Sequence, residues 1–369
     1  MRYFSLFFLT LLGTALAGEP QYPLWDGTES VAEYSKKVNL PPTQSLDLGN
    51  GVKLELVLIP AGKFIMGTPE PVPVDEEGFR KKIITGQVLL AVSGCVLLVL
   101  LAFIFIKVVR KRQRPKFSLL WLMGVSATAG IVVLSGFHWR QSAQGLKKAQ
   151  AEFKVAKFRF DTADQSEEPG HPVTLTEPFY MGKYTVTQEQ YQAVIGTNPS
   201  QFKNKDNPVE QVSWNDAQVF CKNMGDLTHQ AVRLPTEAEW EFSCRAGMTT
   251  EYHSGDTEAD LERVAWYIAN SNRTTHPVGR KEPNAFGLYD MHGNVWQWCA
   301  DFFGKDYYGK SVAVNPQGAT QGSYRVLRGG HWNDFPVFCR SSYRFTYPPD
   351  YRIGGLGFRV VVEPEFKAP

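Results

Sequence analysis

One run near the C-terminus gathers the residues best able to do chemistry: Arg328-Gly329-Gly330-His331-Trp332-Asn333-Asp334-Phe335-Pro336-Val337-Phe338-Cys339-Arg340. Cys339 supplies a thiol, a soft ligand and a nucleophile once ionised. Asp334 and His331, upstream of it, supply a carboxylate and an imidazole. His331 and Cys339, with Asp334 nearby, could form a mixed imidazole–thiolate metal site. The plainer expectation, and the one adopted, is that His331 packs beside Trp332 and Cys339 lies in the core, since free cysteines are among the most buried residues. There is no CxxC and no HExxH, so a zinc site is not indicated. A protein kinase is excluded by the lack of a glycine-rich loop before a strand lysine, of His-Arg-Asp and of Asp-Phe-Gly. A formal charge of +2 over 369 residues makes no polyelectrolyte, and no nucleic-acid partner is expected.

The elements that must position this run are short. A lead-in segment, 18–51, carries one helix around Ser30 to Val38. Val52 to Ile59 alternates as a strand and ends at Pro60-Ala61-Gly62. Capping boxes predict three helices: Thr187 with Gln190, stopped by Gly196; Ser213 with Asp216, ending near Gly225; and Thr236 with Glu239, with Gly247 just beyond the end. After Gly247 the chain is rich in Gly, Pro, Asn and aromatics. The expected class is α+β, with low regular secondary structure and long ordered loops. Trp266, Tyr267, Trp296, Trp298, Phe302, Phe303, Tyr307 and Tyr308 could line a ligand groove, although such residues are more often core.

The beginning and middle of the chain point to a membrane. Residues 1–17 read as a signal peptide, with Arg2, an apolar core from Phe4 to Leu16, and the small-x-small site Ala15-Leu16-Ala17. An insertion, 69–170, carries two uncharged apolar runs, Ile83 to Ile106 and Ser118 to Trp139, each long enough for a transmembrane helix. Between them stand Lys107, Arg110, Lys111, Arg112, Arg114 and Lys116 with no acid, which places this loop in the cytoplasm. They outweigh Arg80, Lys81 and Lys82 at the other end of the first span. A transmembrane hairpin with a cytoplasmic turn puts both flanks, 52–68 and 171–363, on the periplasmic or extracellular side of a bacterial membrane, with 364–369 as a tail. Closure entropy grows only slowly with loop length, so such an insertion need not unfold the domain it interrupts. Outside, Cys221, Cys244, Cys299 and Cys339 would meet oxidising conditions. Four cysteines allow three complete pairings, and a Cys299–Cys339 bridge would remove Cys339 from any catalysis. Asn272-Arg273-Thr274 is a glycosylation sequon in a host that uses it.

Several segments resemble the formylglycine-generating enzyme, or sulfatase-modifying factor, family. They are Leu56-Val57-Leu58-Ile59-Pro60-Ala61-Gly62-Lys63-Phe64-Ile65-Met66-Gly67, Pro178-Phe179-Tyr180-Met181-Gly182-Lys183-Tyr184-Thr185-Val186-Thr187, and Pro208-Val209-Glu210-Gln211-Val212-Ser213-Trp214. Most specific are Arg233-Leu234-Pro235-Thr236-Glu237-Ala238-Glu239-Trp240-Glu241 and Asn284-Ala285-Phe286-Gly287-Leu288-Tyr289-Asp290-Met291-His292-Gly293-Asn294-Val295-Trp296. Arg328-Gly329-Gly330 and Gly357-Phe358-Arg359 close the pattern. The resemblance implies a C-type-lectin-related fold, interrupted here by the hairpin.

It also implies a chemistry: oxygen-dependent oxidation of the cysteine in a sulfatase Cys-x-Pro-x-Arg motif, by two cysteines that hold Cu(I). Cys339 falls on the second of these positions. Asp334 stands at the first, and His331 where the family has serine. A carboxylate is a hard ligand, so a standard two-cysteine copper site is not expected. The expected function is therefore a binding or scaffold module for a protein or peptide ligand, sulfatases among the candidates. The alternative is the formylglycine-generating oxidase itself. Asp290, Gly293, Val295 and Gln297 match a family calcium site of two side-chain oxygens and two carbonyls, with an amide at Gln297 where glutamate is expected. The competing expectation is that Asp290 and Asn294 hold a turn. Cys221 and Cys244 match disulfide positions whose partners fall at Val360 and Arg344, so those bridges cannot form. The three-histidine iron motif of the related ergothioneine synthases is absent.

Overall fold

Ser30 opens the first helix, α1 (Val31–Val38), by exchanging hydrogen bonds with Glu33. The computed structural model describes residues 22–68 and 165–364. These two segments fall within one compact unit. Strands β1 (Thr43–Asp47) and β2 (Lys53–Ile59) form an antiparallel hairpin. After Pro60 comes β3 (Gly62–Met66), which pairs antiparallel with β4 (His171–Leu175), Met66 opposite His171. The flanks of the insertion are therefore strand neighbours. Strand β5 (Phe179–Gly182) pairs with β2. Then follow helices α2 (Gln188–Ile195) and α3 (Trp214–Thr228), strand β6 (Val232–Arg233) and helices α4 (Glu237–Arg245) and α5 (Glu258–Val264). Short strands β7 (Ala265–Trp266) and β8 (His292–Gly293) pair in parallel. The rest of the chain contributes β9 (Trp296–Phe302), β10 (Arg325–Arg328), β11 (Phe345–Tyr347), β12 (Leu356–Gly357) and β13 (Val361–Val362). One sheet has the order β1-β2-β5-β13-β6 and another β11-β10-β9-β12.

The larger sheet is buried on both faces. Leu54, Leu56, Leu58, Tyr180 and Val362 point into one hydrophobic cluster. Val57, Ile59, Phe179, Met181 and Val361 point into another. Side chains alternate along a strand, so each strand feeds both layers. A third, smaller cluster holds Tyr252, Leu261, Val264, Ala265, Tyr267 and Cys339.

The predicted helix starts at Ser30, Thr187, Ser213 and Thr236 all carry complete capping boxes. One end differs. Helix α3 passes Gly225 and stops at His229, whose φ of 54° makes the left-handed cap. Gly225 serves a close approach instead: a Cβ there would stand 2.9 Å from the Gln230 carbonyl oxygen. Helix α5 starts at a further capping box, Thr257 with Asp260, which the sequence reading passed over. Among the described residues no helix is long and apolar enough to cross a membrane. The expected signal peptide (1–17), both apolar spans (83–106 and 118–139) and the basic loop lie outside the described residues.

Candidate functional site

Strand β10 delivers the chain to Gly329 and Gly330, whose φ values of +97° and +77° belong to glycine. A Cβ on Gly330 would stand 2.6 Å from the Cys339 sulfur, so the turn closes directly on that thiol. His331 and Asp334 then lock a tight turn. The His331 N–H donates to Asp334 Oδ2 (2.9 Å) and the Asp334 N–H donates to the His331 carbonyl (3.0 Å). His331 Nδ1 lies 2.6 Å from the same Oδ2, an ion-pair distance outside hydrogen-bond geometry. The His331 ring lies over Gly355, where a Cβ would be 1.9 Å from Cδ2. Trp332 sits beside it, ring centroids 5.5 Å apart, and donates its indole N–H to the Gly354 carbonyl (2.6 Å).

Cys339 ends the 3-10 turn Pro336–Cys339 and is fully buried. Burial pushes its thiol well above the usual range, and the nearby Asp334 carboxylate pushes it the same way. The sulfur is thus held as a thiol, neither nucleophile nor strong ligand. Two possibilities raised by the sequence are not seen among the described residues. Among the described residues no three His, Cys, Asp or Glu side chains converge on a metal position, so the mixed site of His331, Cys339 and Asp334 does not form: Asp334 is spent on His331, and Cys339 packs against apolar side chains. Cys299 and Cys339 are not bridged. Cys221, Cys244, Cys299 and Cys339 are all free and buried, and Cys299 and Cys339 belong to different clusters. Cu(I) does not fit this position either, because one thiol and an engaged carboxylate stand where two thiolates are needed.

The calcium positions meet a different obstacle. The Gln297 side-chain oxygen already accepts from Trp240 Nε1 (2.8 Å) and Arg359 Nε (2.7 Å), while its amide donates to the Asp290 carbonyl (2.8 Å). The buried guanidinium of Arg359 also donates to the Tyr289 carbonyl (2.7 Å). A cation thus already borders this site. Asp290 Oδ2 accepts from the Gly279 N–H (2.8 Å), and burial raises its carboxyl. Asn294 bonds His276 through both its oxygen and its nitrogen. Asp290 and Asn294 therefore anchor the segment 276–279, and the Asn294 amide also donates to Asp290 Oδ1 (3.4 Å) across their own turn. Asp290 is then the one carboxylate of the four positions, and the Gln297 oxygen is already taken, so this donor set does not fit calcium.

The sequence reading missed a buried ionic network behind the turn. Arg344 grips Glu237 with two bonds (2.7 and 2.8 Å), and Arg340 grips Glu167 likewise (2.7 and 2.9 Å). Arg328 pairs with Glu241, which also holds Arg245 (2.8 Å). Arg245 and Arg328 keep the Glu241 carboxyl low although burial opposes them. Only the i, i+4 spacing of Glu237 and Glu241 was there to hint at it. Nearby, His253 and His292 stack at 4.9 Å. His292 Nδ1 lies 2.7 Å from the Cys339 carbonyl, and its Nε2 accepts the His253 N–H (3.1 Å). Of the aromatics considered as groove lining, Tyr267, Trp296, Trp298 and Tyr308 are buried. A recess of about 180 Å³ beside Arg233 and Glu239, and a wider one of about 680 Å³ beside Gln192 and Lys203, lie away from His331, Asp334 and Cys339.

Comparison with known proteins identifies the domain. Residues 140–364 match the sulfatase-modifying factor enzyme 1-like domain, more than half of the chain. Chaperone protein LppX of Paenibacillus barcinonensis is 30% identical over 235 residues, 50% of this chain and 78% of that protein. The formylglycine-generating enzyme of Bos taurus is 26% identical over 372 residues, 96% of this chain and 87% of that one. Among solved structures, Treponema denticola variable protein 1 is similar with a TM-score of 0.51 and 33% identity, over 53% of this chain and 87% of that chain.

Proposed function

The chain belongs to the sulfatase-modifying factor family, and from that premise we propose that it is a membrane-anchored binding or scaffold module on the outer side of a bacterial membrane, not an oxidase. The observation that carries this reading is the setting of Cys339: one thiol, fully buried, with Asp334 beside His331 where a second thiol would stand. Oxidation through copper needs paired soft ligands, and this pocket has lost them. The ligand is a protein or peptide, with sulfatases among the candidates. The name of the relative LppX, a chaperone protein, supports a protein-binding role. Anchoring rests on the apolar runs 83–106 and 118–139 and the basic loop between them.

The test uses the full chain in detergent with a Cys-x-Pro-x-Arg peptide, copper and oxygen, and mass spectrometry for the aldehyde. No conversion is expected from the natural sequence. Conversion comparable to that by the Bos taurus enzyme would establish the oxidase reading instead. Asp334→Cys is the companion variant, and activity gained only there would fit a site lost by substitution. For topology, protease added outside spheroplasts should digest the domain and spare the loop 107–117.

A further inference from the structure

Residues 69–164 separate Thr68 from Gln165 in sequence, yet their flanks are bolted together within the domain. The Thr68 N–H donates to the Glu167 carbonyl (3.0 Å), and Thr68 Oγ1 donates to Glu167 Oε2 (2.7 Å). Gly67 makes the approach feasible, since a Cβ there would be 2.4 Å from the Glu167 carbonyl oxygen. Glu167 is completely buried, and its partner is Arg340, through the two bonds described above. Ser342 Oγ lies 3.0 Å from both Thr68 Oγ1 and Arg340 Nη1. Further bonds reach both flanks: Arg344 to the Ser166 carbonyl (2.7 Å), and Arg245 to the Gly67 carbonyl (3.1 Å). Arg340 directly follows Cys339.

We propose that the Glu167–Arg340 clasp couples the spacing of the two flanks to the segment that carries His331, Asp334 and Cys339. Drawing Thr68 and Glu167 apart takes the carboxylate from Arg340. Among the described residues the guanidinium then keeps Glu251, 3.6 Å away, in place of a two-bond grip. A buried charge that loses such a carboxylate is destabilised, so the turn ending at Cys339 loosens. Anything that acts on 69–164 is felt at the candidate site through this pair. The proposal goes beyond the binding reading and holds whatever the ligand is.

The test uses the full chain in detergent and the alkylation rates of individual thiols, read from their peptides by mass spectrometry. Glu167→Gln keeps the shape but not the charge, and should speed alkylation of Cys339 about tenfold by local opening. Cys299, in β9, should stay near its original rate. Thr68→Val, a milder change, should act in the same direction. Coupling is reciprocal, so Arg340→Met should also speed amide exchange of Thr68. An unchanged Cys339 rate in Glu167→Gln, a parallel rise at Cys299, or an unaltered Thr68 amide in Arg340→Met would each overturn the proposal. Should Glu167→Gln not fold, Thr68→Val decides it by the same Cys339-to-Cys299 ratio.

Discussion

At the scale of single residues, the site differs from its family pattern through a few side chains whose partners have changed. Gln297 is the clearest. Its oxygen accepts hydrogen bonds from Trp240 and Arg359, and its nitrogen donates one to the Asp290 carbonyl. A carboxylate there would face that carbonyl with no proton to offer. Gln297→Glu should therefore lower stability without calcium by about 1–3 kcal/mol, the cost of a broken buried hydrogen bond. It should also make thermal unfolding depend on calcium. The natural chain should melt at one temperature in calcium and in chelator. Cys339 yields a second expectation. As a core residue it should tolerate alanine better than serine, because serine would bury a hydroxyl among Tyr252, Leu261 and Val264. Denaturant unfolding of Cys339→Ala and Cys339→Ser should show that order, whereas a catalytic thiol would give no reason for one. The exchange of a thiol for Asp334 was legible in the sequence. The use of Asp334 was not, because it depends on a turn formed by two left-handed glycines.

At the scale of elements, helix starts were legible and helix surroundings were not. A capping box is a local exchange between residues three apart, so Ser30, Thr187, Ser213 and Thr236 announce their helices. Burial is set by the rest of the chain. Every residue of α4 is buried, Glu237, Glu239 and Glu241 included, and no amphipathic stripe in its sequence says so. Glu237 and Glu241 are matched by arginines 107 and 87 positions away, Glu241 also by Arg245 on the helix's own last turn, and Glu239 by Arg233 six positions before it. The Glu167–Arg340 pair completes that set. The two contributions to α4 should separate on mutation. Thr236→Ala removes a cap and should cost about 1 kcal/mol. Glu241→Gln leaves Arg328 and Arg245 facing a neutral group in the interior and should cost about 3–5 kcal/mol. Equal costs in urea unfolding would contradict the view that α4 is held by its ion pairs more than by its cap.

At the scale of the whole molecule, both flanks of the insertion contribute strands to the same layers. The motifs around Ile59 and Met181 are read far apart in sequence, yet β2 and β5 lie side by side. Folding them together buries charge and imidazole alike, and that ties stability to pH. Burial lowers His253 to about 4, and it lowers His292 well below its ordinary value, with His253 adding to the effect. In the unfolded chain both titrate near 6.5. Between about pH 6.5 and 4 the unfolded chain therefore binds more protons than the folded one, and stability rises with pH across that window. The contribution is intact above 6.5 and is lost as acid is added. Asp301 works in the opposite sense. Burial, with Glu237 beside it, lifts its carboxyl to about 8. The folded state thus keeps a proton that the unfolded chain releases above about 4, and stability falls as pH rises toward 8. Asp301→Asn should remove that alkaline loss, since an amide carries no proton to release. His292→Gln keeps a donor for the Cys339 carbonyl and an acceptor for the His253 N–H while removing one of the titrating groups. Its urea midpoint should therefore fall less between pH 7 and pH 5 than that of the natural chain. Identical slopes would mean that the stacked pair does not govern the acid limb.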